Sequence, residues 1–351
     1  MILTVVGCNA QLAPPPPGAP DAAAAGDSPA ALAPPPPASA APALGTVDHV
    51  QPVACPTGTN APPPGSLCQR IRVTGCPTIE TESITAIVAV LAPAGPVAGT
   101  LTHFNGGGGE GFQISDTARF QAAGLREVFV SWDTDWEQTL GHGIKTAACR
   151  PATVLRWIFN EPTLHAQSRT AAFCGEGHSG GSAQLGYALS HYGLADSLDY
   201  VNEISGPPFA RLDLGCDGNA PPSTTVCGAS VTTQLPAKVS TWENMAMACG
   251  SPNLPASELA RLKSDSVAFG GAYNYPATRV ELFDCTHNAT AVTAMSQLHF
   301  DVITRAEGGT TRAAYHCYAQ ADGCQGESLG MTGAREAADA MIAGCKPHHQ
   351  R

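Results

Sequence analysis

The chain has 351 residues, long enough for one large domain or two small ones, and with 43% hydrophobic and only 13% charged residues it can bury a sizeable core. Its formal net charge of −11 argues against a nucleic-acid binder, because nothing would neutralise the phosphates. No apolar run reaches the roughly 18 residues of a membrane-spanning helix, so a membrane contact is expected only through a lipid anchor.

The N-terminal stretch "LTVVGCNA" places Cys8 after a short apolar segment and a glycine. It resembles the lipobox of bacterial lipoproteins, which implies that residues 1–8 are a signal remnant and that Cys8 is the lipidated terminus. The segment is short and lacks a basic n-region, the first Lys or Arg being Arg70. Residues 9–50 are rich in Ala and Pro and cannot bury a core, so they read as an extended linker. At roughly 3 Å per residue that linker would hold a domain on the order of 100 Å from its anchor. The globular domain is expected over 51–351. Of the 13 cysteines, 12 follow Cys8, with no CxxC pair; an even, scattered set points to six disulfides in an oxidising, extracytoplasmic compartment rather than to zinc.

Strands are expected at "QRIRVTG" (69–75), "TAIVAVLA" (85–92), "GTLTHF" (99–104) and "REVFVSW" (126–132), with a helix containing "ATVLRWIF" (152–159). A short strand at "RTAAFC" then enters "GEGHSGGSAQLGYAL", where four glycines fall between Gly175 and Gly181 and helical spacing follows. "LDYVNEIS" (198–205) reads as another strand. Residues 207–277, Pro/Gly-rich and weakly periodic, read as an insertion or lid. "TRVELFD" (278–284), a helix near 291–305, "TTRAAYH" (310–316) and a helix near 332–343 complete the chain. This alternation predicts an α/β fold with a mainly parallel central sheet covered by helices on both faces.

Two segments carry chemistry. A strand, a tight Gly-rich turn and a helix are what the G-x-S-x-G pattern requires, and they would lift Ser179 clear of the sheet as a nucleophile; a serine N-cap is the plainer alternative. "LTHFNGGGGEGF" (101–112) supplies four consecutive glycines without Cβ atoms, so amides from Gly106, Gly107, Gly108 and Gly109 could approach an oxyanion together with the amide of Gly180. No Lys-Ser/Thr follows the loop, which speaks against Walker chemistry. His103 and Asn105 are expected to hold the loop in place, and His178 to shape the pocket.

Together these segments resemble the α/β-hydrolase superfamily over roughly residues 69–346, with polyester hydrolases, feruloyl esterases and tannase-like esterases as the nearest comparisons. Tannase-like enzymes place a cysteine before the serine, where this chain has His178. The resemblance implies the order Ser, acid, His, with the acid just past the penultimate strand and the base just past the last. Asp284 fits the acid, with Asp133 and Asp135 as the main rivals, Asp213 a weaker one, and Glu281 pointing sideways from its strand. His316 fits the base; His287 and His299 come too early, His49, His348 and His349 lie in the linker or tail, and relatives often carry the base at positions held here by Asp322 or Gly323. A bridge beside the triad is implied as well, Cys285–Cys317 or equally Cys317–Cys324.

The function implied is an exported, monomeric serine hydrolase that cleaves carboxylic esters through an acyl-enzyme. It needs no cofactor and no metal, and its partner is an ester substrate, small or polymeric. Phe112, Trp132, Trp136 and Trp242 are candidate pocket aromatics. A non-catalytic surface binding module on the same scaffold, or a peptidase or acyltransferase, stand as alternatives.

Overall fold

The computed structural model describes residues 42–166, 171–221, 223–286, 291–308, 312–318, 324–325 and 328–347. Cys8 and the first 33 or so residues of the expected linker lie outside them, as do His287, Asp322, Gly323, His348 and His349. The N-terminal half contributes β1 (Thr46–Val53), β2 (Leu67–Thr74), β3 (Ile84–Leu91), β4 (Gly99–Phe104), α1 (Thr117–Ala122) and β5 (Leu125–Trp132). Then come α2 (Ile144–Ala147), α3 (Cys149–Asn160), β6 (Ala172–His178), α4 (Gly180–Ser190) and β7 (Tyr200–Ile204). The insertion holds α5 (Leu212–Cys216), β8 (Ser223–Val226), β9 (Ala229–Thr232), α6 (Val239–Trp242) and α7 (Ala256–Ser264). β10 (Arg279–Cys285), α8 (Ala291–Ala306), β11 (Ala313–Tyr318), β12 (Cys324–Gln325), β13 (Ser328–Leu329) and α9 (Met331–Gly344) close the chain.

Among the described residues, one nine-stranded sheet runs in the order β1-β2-β3-β5-β4-β6-β7-β10-β11. β1, β2, β3 and β5 pair antiparallel in turn, and from β5 to β11 every pair is parallel. The first strand is a correction to the sequence expectation. Residues 46–48, assigned to the linker, pair with β2, and Asp48 grips Arg72 through two hydrogen bonds of 2.8 and 3.2 Å.

Alternation along the central strands divides the core between the two faces. Phe173 of β6 joins Leu155, Leu185 and Met295 of α3, α4 and α8 on one side. Its neighbours Ala172 and Cys174 join Phe120, Ala338 and Met341 of α1 and α9 on the other. A strand buried on both faces has little use for polar residues, which is why these segments read as near-continuous apolar runs.

All twelve cysteines after Cys8 are bridged: 55–68, 76–149, 174–345, 216–249, 227–317 and 285–324. Both pairings expected beside the triad are corrected. In the parallel register Cys317 lies opposite Asp284 and Cys285 opposite Tyr318. Cys285 and Cys317 therefore project to opposite faces of the sheet and cannot meet. Cys285 instead reaches Cys324, and Cys317 ties β11 to the β8–β9 turn through Cys227.

Candidate active site

Ser179 stands between the last residue of β6 and the first of α4 with φ 52° and ψ −114°, a left-handed conformation costly for any residue with a Cβ. Its amide donates to the carbonyl of Ile204 at the end of the neighbouring strand (2.8 Å), which fixes the turn to β7. The surrounding glycines are set by contact rather than by flexibility. A Cβ on Gly177 would strike the backbone of Gly181, one on Gly181 the carbonyl oxygen of Phe104, and one on Gly180 the carbonyl of Gly107. The elbow and the Gly-rich loop are thus packed backbone to backbone. Gly181→Ala is expected to cost at least about 2–3 kcal/mol, because the obstacle is main chain that cannot rotate away. A urea midpoint equal to that of the wild type would refute this.

The loop from Asn105 to Glu110 is braced by Asn105, whose Nδ2 donates to the Glu110 carbonyl (2.5 Å) while its Oδ1 accepts from the Gly106 amide (2.9 Å). Gly109 N donates to Gly106 O at 3.1 Å. Of the amides from Gly106 to Glu110, those of Gly107, Gly108 and Glu110 make no such bond among the described residues. The Gly106 N–H, expected in the oxyanion set, is engaged here by Asn105 Oδ1.

His103, in β4 just before this loop, is fully buried, with its ring nitrogens 3.2 Å from Glu127 and 3.3 Å from Glu176 and its ring stacked on Phe129 at 4.5 Å. Burial opposes its charge, and the two carboxylates overcome that, raising its pKa to about 9. Burial likewise works against ionisation of Glu176, yet His103 and the Ser115 hydroxyl (2.6 Å) hold its carboxyl below the usual range. The expected structural roles of His103 and Asn105 are thus given physical form. Strands β4, β5 and β6 are thereby joined through the buried His103 and its two carboxylates.

Ser179 and Gly180 line a cavity of about 650 Å³ together with Gly107, Glu137, Phe209, Leu235, Trp242 and Val292. Most of its outer wall comes from the insertion. Of the four candidate pocket aromatics, Trp242 is there; Phe112, Trp132 and Trp136 are buried and not part of the lining. No histidine lines the cavity among the described residues.

The expected acid and base are not brought together. Asp284 is fully buried on the α8 side; burial pushes its carboxyl well above the usual range, Glu203 adds to this, and Ser296 and Tyr315 oppose it. His316 lies one register position away, opposite Phe283, and therefore projects to the other face. There its ring stacks on Phe283 at 4.4 Å, and Nε2 meets Glu281 Oε2 at 2.9 Å. The sequence assignment mistook a strand residue for a loop residue, because β11 continues through Tyr318. The rival acids are also engaged: Asp133 by Thr85 (2.6 Å), Asp135 by Lys238 (2.9 Å) and Asp213 by Arg211 (2.8 Å). His299 is buried against Glu203 at 2.9 Å.

Among the described residues, no group of three or more His, Cys, Asp or Glu side chains is arranged to hold a metal ion. No helix among them is long and apolar enough to cross a membrane.

No protein-family model matches the sequence, and no relative is found among curated proteins. Solved structures do resemble the fold. Acetyl xylan esterase 1 from Thermoanaerobacterium sp. superposes with a TM-score of 0.52 at 11% identity, over 86% of this chain and 88% of that one. An esterase of Pyrobaculum calidifontis gives 0.48 at 15% identity, over 79% and 84%. A thermostable carboxylesterase cloned from a metagenomic library gives 0.46 at 16%, over 84% and 92%.

Proposed function

The chain has the α/β-hydrolase fold, and from the serine at its elbow we propose that it hydrolyses carboxylic esters through an acyl-enzyme on Ser179. The observation that carries this is the strained conformation of Ser179 at the edge of the cavity, with Gly180 pressed against Gly107. A backbone held so far from its minimum is maintained by the packing around it, and such strain clusters where chemistry is done.

The roles follow from charge. Attack by Ser179 Oγ on the ester carbonyl forms a tetrahedral oxyanion, which the amides of Gly180 and of Gly107 or Gly108 stabilise. Each donor is worth about 2.7–4 kcal/mol in sites of this kind. The Ser179 proton must pass to a base during attack and then to the leaving alcohol. Of the histidines after Asp284, His299 is bonded to Glu203 and His316 to Glu281, and His348 and His349 belong to the tail. We assign the base to His287, three positions past Asp284 and four before Ala291, a residue of the cavity wall. An imidazolium within about 4–6 Å would bring the buried Asp284 carboxyl back down and make it the acid partner. His287→Ala is expected to lower kcat by about 10³-fold or more, and His316→Ala to leave it within a few-fold. The reverse ranking would restore His316 as the base.

One observation favours a second reading, a non-catalytic binding module on the same scaffold. The chain between Cys317 and Met331, where the fold places the base, contains no histidine. A fluorophosphonate probe decides between them: labelling at Ser179 supports the hydrolase, and no labelling of folded protein supports the binding module.

The six disulfides support an oxidising, extracytoplasmic setting, in which Cys8 would carry a lipid anchor. Acetyl xylan esterase 1 names one ester class for comparison; polymeric and feruloyl-type esters are the other classes proposed here.

A further inference from the structure

One wall of the cavity carries a carboxyl group that the proposed chemistry does not use. Glu137 follows Trp136 on the loop after β5 and is completely buried. It lines the same cavity as Ser179 and Gly180. Apart from its own backbone N–H, neither of its carboxyl oxygens has a hydrogen-bond partner among the described residues. Around it the lining is mainly apolar, with Pro208, Phe209, Leu235, Pro236 and Trp242.

A buried polar group without a partner costs about 1–3 kcal/mol, and a group in that condition facing a cavity is completed when a ligand supplies the partner. The protonation state narrows what that ligand is. Burial pushes the Glu137 carboxyl well above the usual range, and the negative charge of Asp135 adds to this. The nearby cation, Lys238, is already engaged: its Nζ lies 2.9 Å from Asp135 and 4.9 Å from the centre of the Trp242 ring. Burial and the Asp135 charge favour the neutral carboxylic acid at this cavity wall, a form with one O–H to donate and a carbonyl oxygen to accept. That pair matches an alcohol hydroxyl and discriminates against a plain hydrocarbon chain.

We infer that Glu137 is a specificity-determining residue that hydrogen-bonds a hydroxyl on the part of the ester seated in the cavity, so that the substrates are hydroxyl-bearing esters. For its substrate class this rests on the ester-hydrolase reading. A site built to hydrogen-bond a substrate hydroxyl rejects the analogue lacking it far more strongly than an apolar pocket rejects one methylene.

The test compares ethyl butanoate with ethyl 3-hydroxybutanoate, which carries the hydroxyl on the acyl side, and with 2-hydroxyethyl butanoate, which carries it on the alcohol side. Turnover is followed by pH-stat. The wild type is expected to prefer one hydroxylated ester over ethyl butanoate by at least about tenfold in kcat/KM. Glu137→Leu should reduce that ratio at least about tenfold, and Glu137→Gln, whose amide both donates and accepts, should keep it within about threefold. Equal kcat/KM for all three esters in the wild type overturns the inference and leaves the hydrolase reading standing. So does a ratio unchanged in Glu137→Leu. Titration calorimetry of the same esters into Ser179→Ala protein reads the preference without turnover. If no ester is hydrolysed but the hydroxylated one still binds at least about tenfold tighter, the hydrolase reading falls and the role of Glu137 stands. Equal binding there removes it.

Discussion

Ser179→Ala is expected to lower ester turnover by at least about 10⁴-fold while leaving the denaturant midpoint nearly unchanged. The two halves of this result have separate causes. The substitution removes one oxygen from a half-buried side chain and keeps the Cβ, so packing and the positive φ are as before. Chemistry loses its nucleophile outright. A companion variant sharpens the argument: Ser179→Gly should be equally inactive and more stable, by about 1 kcal/mol, because glycine adopts φ 52° without the Cβ penalty. Steady-state hydrolysis of p-nitrophenyl acetate and urea unfolding measure both. Turnover retained in Ser179→Ala would move the nucleophile elsewhere, and a less stable Ser179→Gly would show that the elbow is not strained.

The second large effect is expected at His103. Replacing it with Phe keeps an aromatic ring against Phe129 but leaves Glu127 and Glu176 buried without their cation, which should cost about 3–5 kcal/mol. The pH dependence has a definite sign. With a folded pKa of about 9 against an ordinary value of 6.5, His103 binds its proton more tightly in the native state. Its contribution is complete below about pH 6.5 and disappears as the pH rises through about 9, a loss on the order of 3 kcal/mol. Glu176, whose carboxyl is held below its usual range, acts in the opposite direction. It stabilises above about pH 4.5, and that contribution is lost as the pH falls through its depressed value. Urea midpoints should therefore fall between about pH 6.5 and 10 in the wild type and stay flatter over that window in His103→Phe. Parallel profiles would mean that His103 is not the group responsible.

Most of the scaffold is legible in the sequence because its signals are local. Apolar runs such as "TAIVAVLA" and "GTLTHF" mark strands, and the glycines around Ser179 mark the elbow; each rests on backbone sterics within a few residues. The charged middle of β1 hides it, because an edge strand with exposed residues alternates weakly and its Asp48–Arg72 pairing is made across the sheet. His316 was misplaced for a related reason: where a parallel strand ends is decided by its neighbour, and β10 carries β11 on to Tyr318. The disulfide partners depended on the same register, since a shift of one residue reverses the face of every side chain. Glu137 gave no sequence signal of its own. In "WDTDWEQ" it is one acid among three, and only the closing of the insertion over it makes it a cavity residue.

That insertion leaves the sheet after β7 and returns at β10, two strands that are hydrogen-bonded neighbours. Because that pair is parallel, the chain departs at the Ile204 end and returns at the opposite, Arg279 end, and the parallel sheet is continuous beneath it. Thr232, Gln234, Leu235, Pro236 and Trp242, which face the elbow, all belong to it. It has its own internal staple, Cys216–Cys249, and a single covalent tie to the sheet, Cys227–Cys317. The roof of the cavity is thus held to the sheet by its two chain ends and one disulfide. A change confined to that roof would alter what the cavity admits while the elbow, the glycine loop and the buried His103 cluster stay as they are.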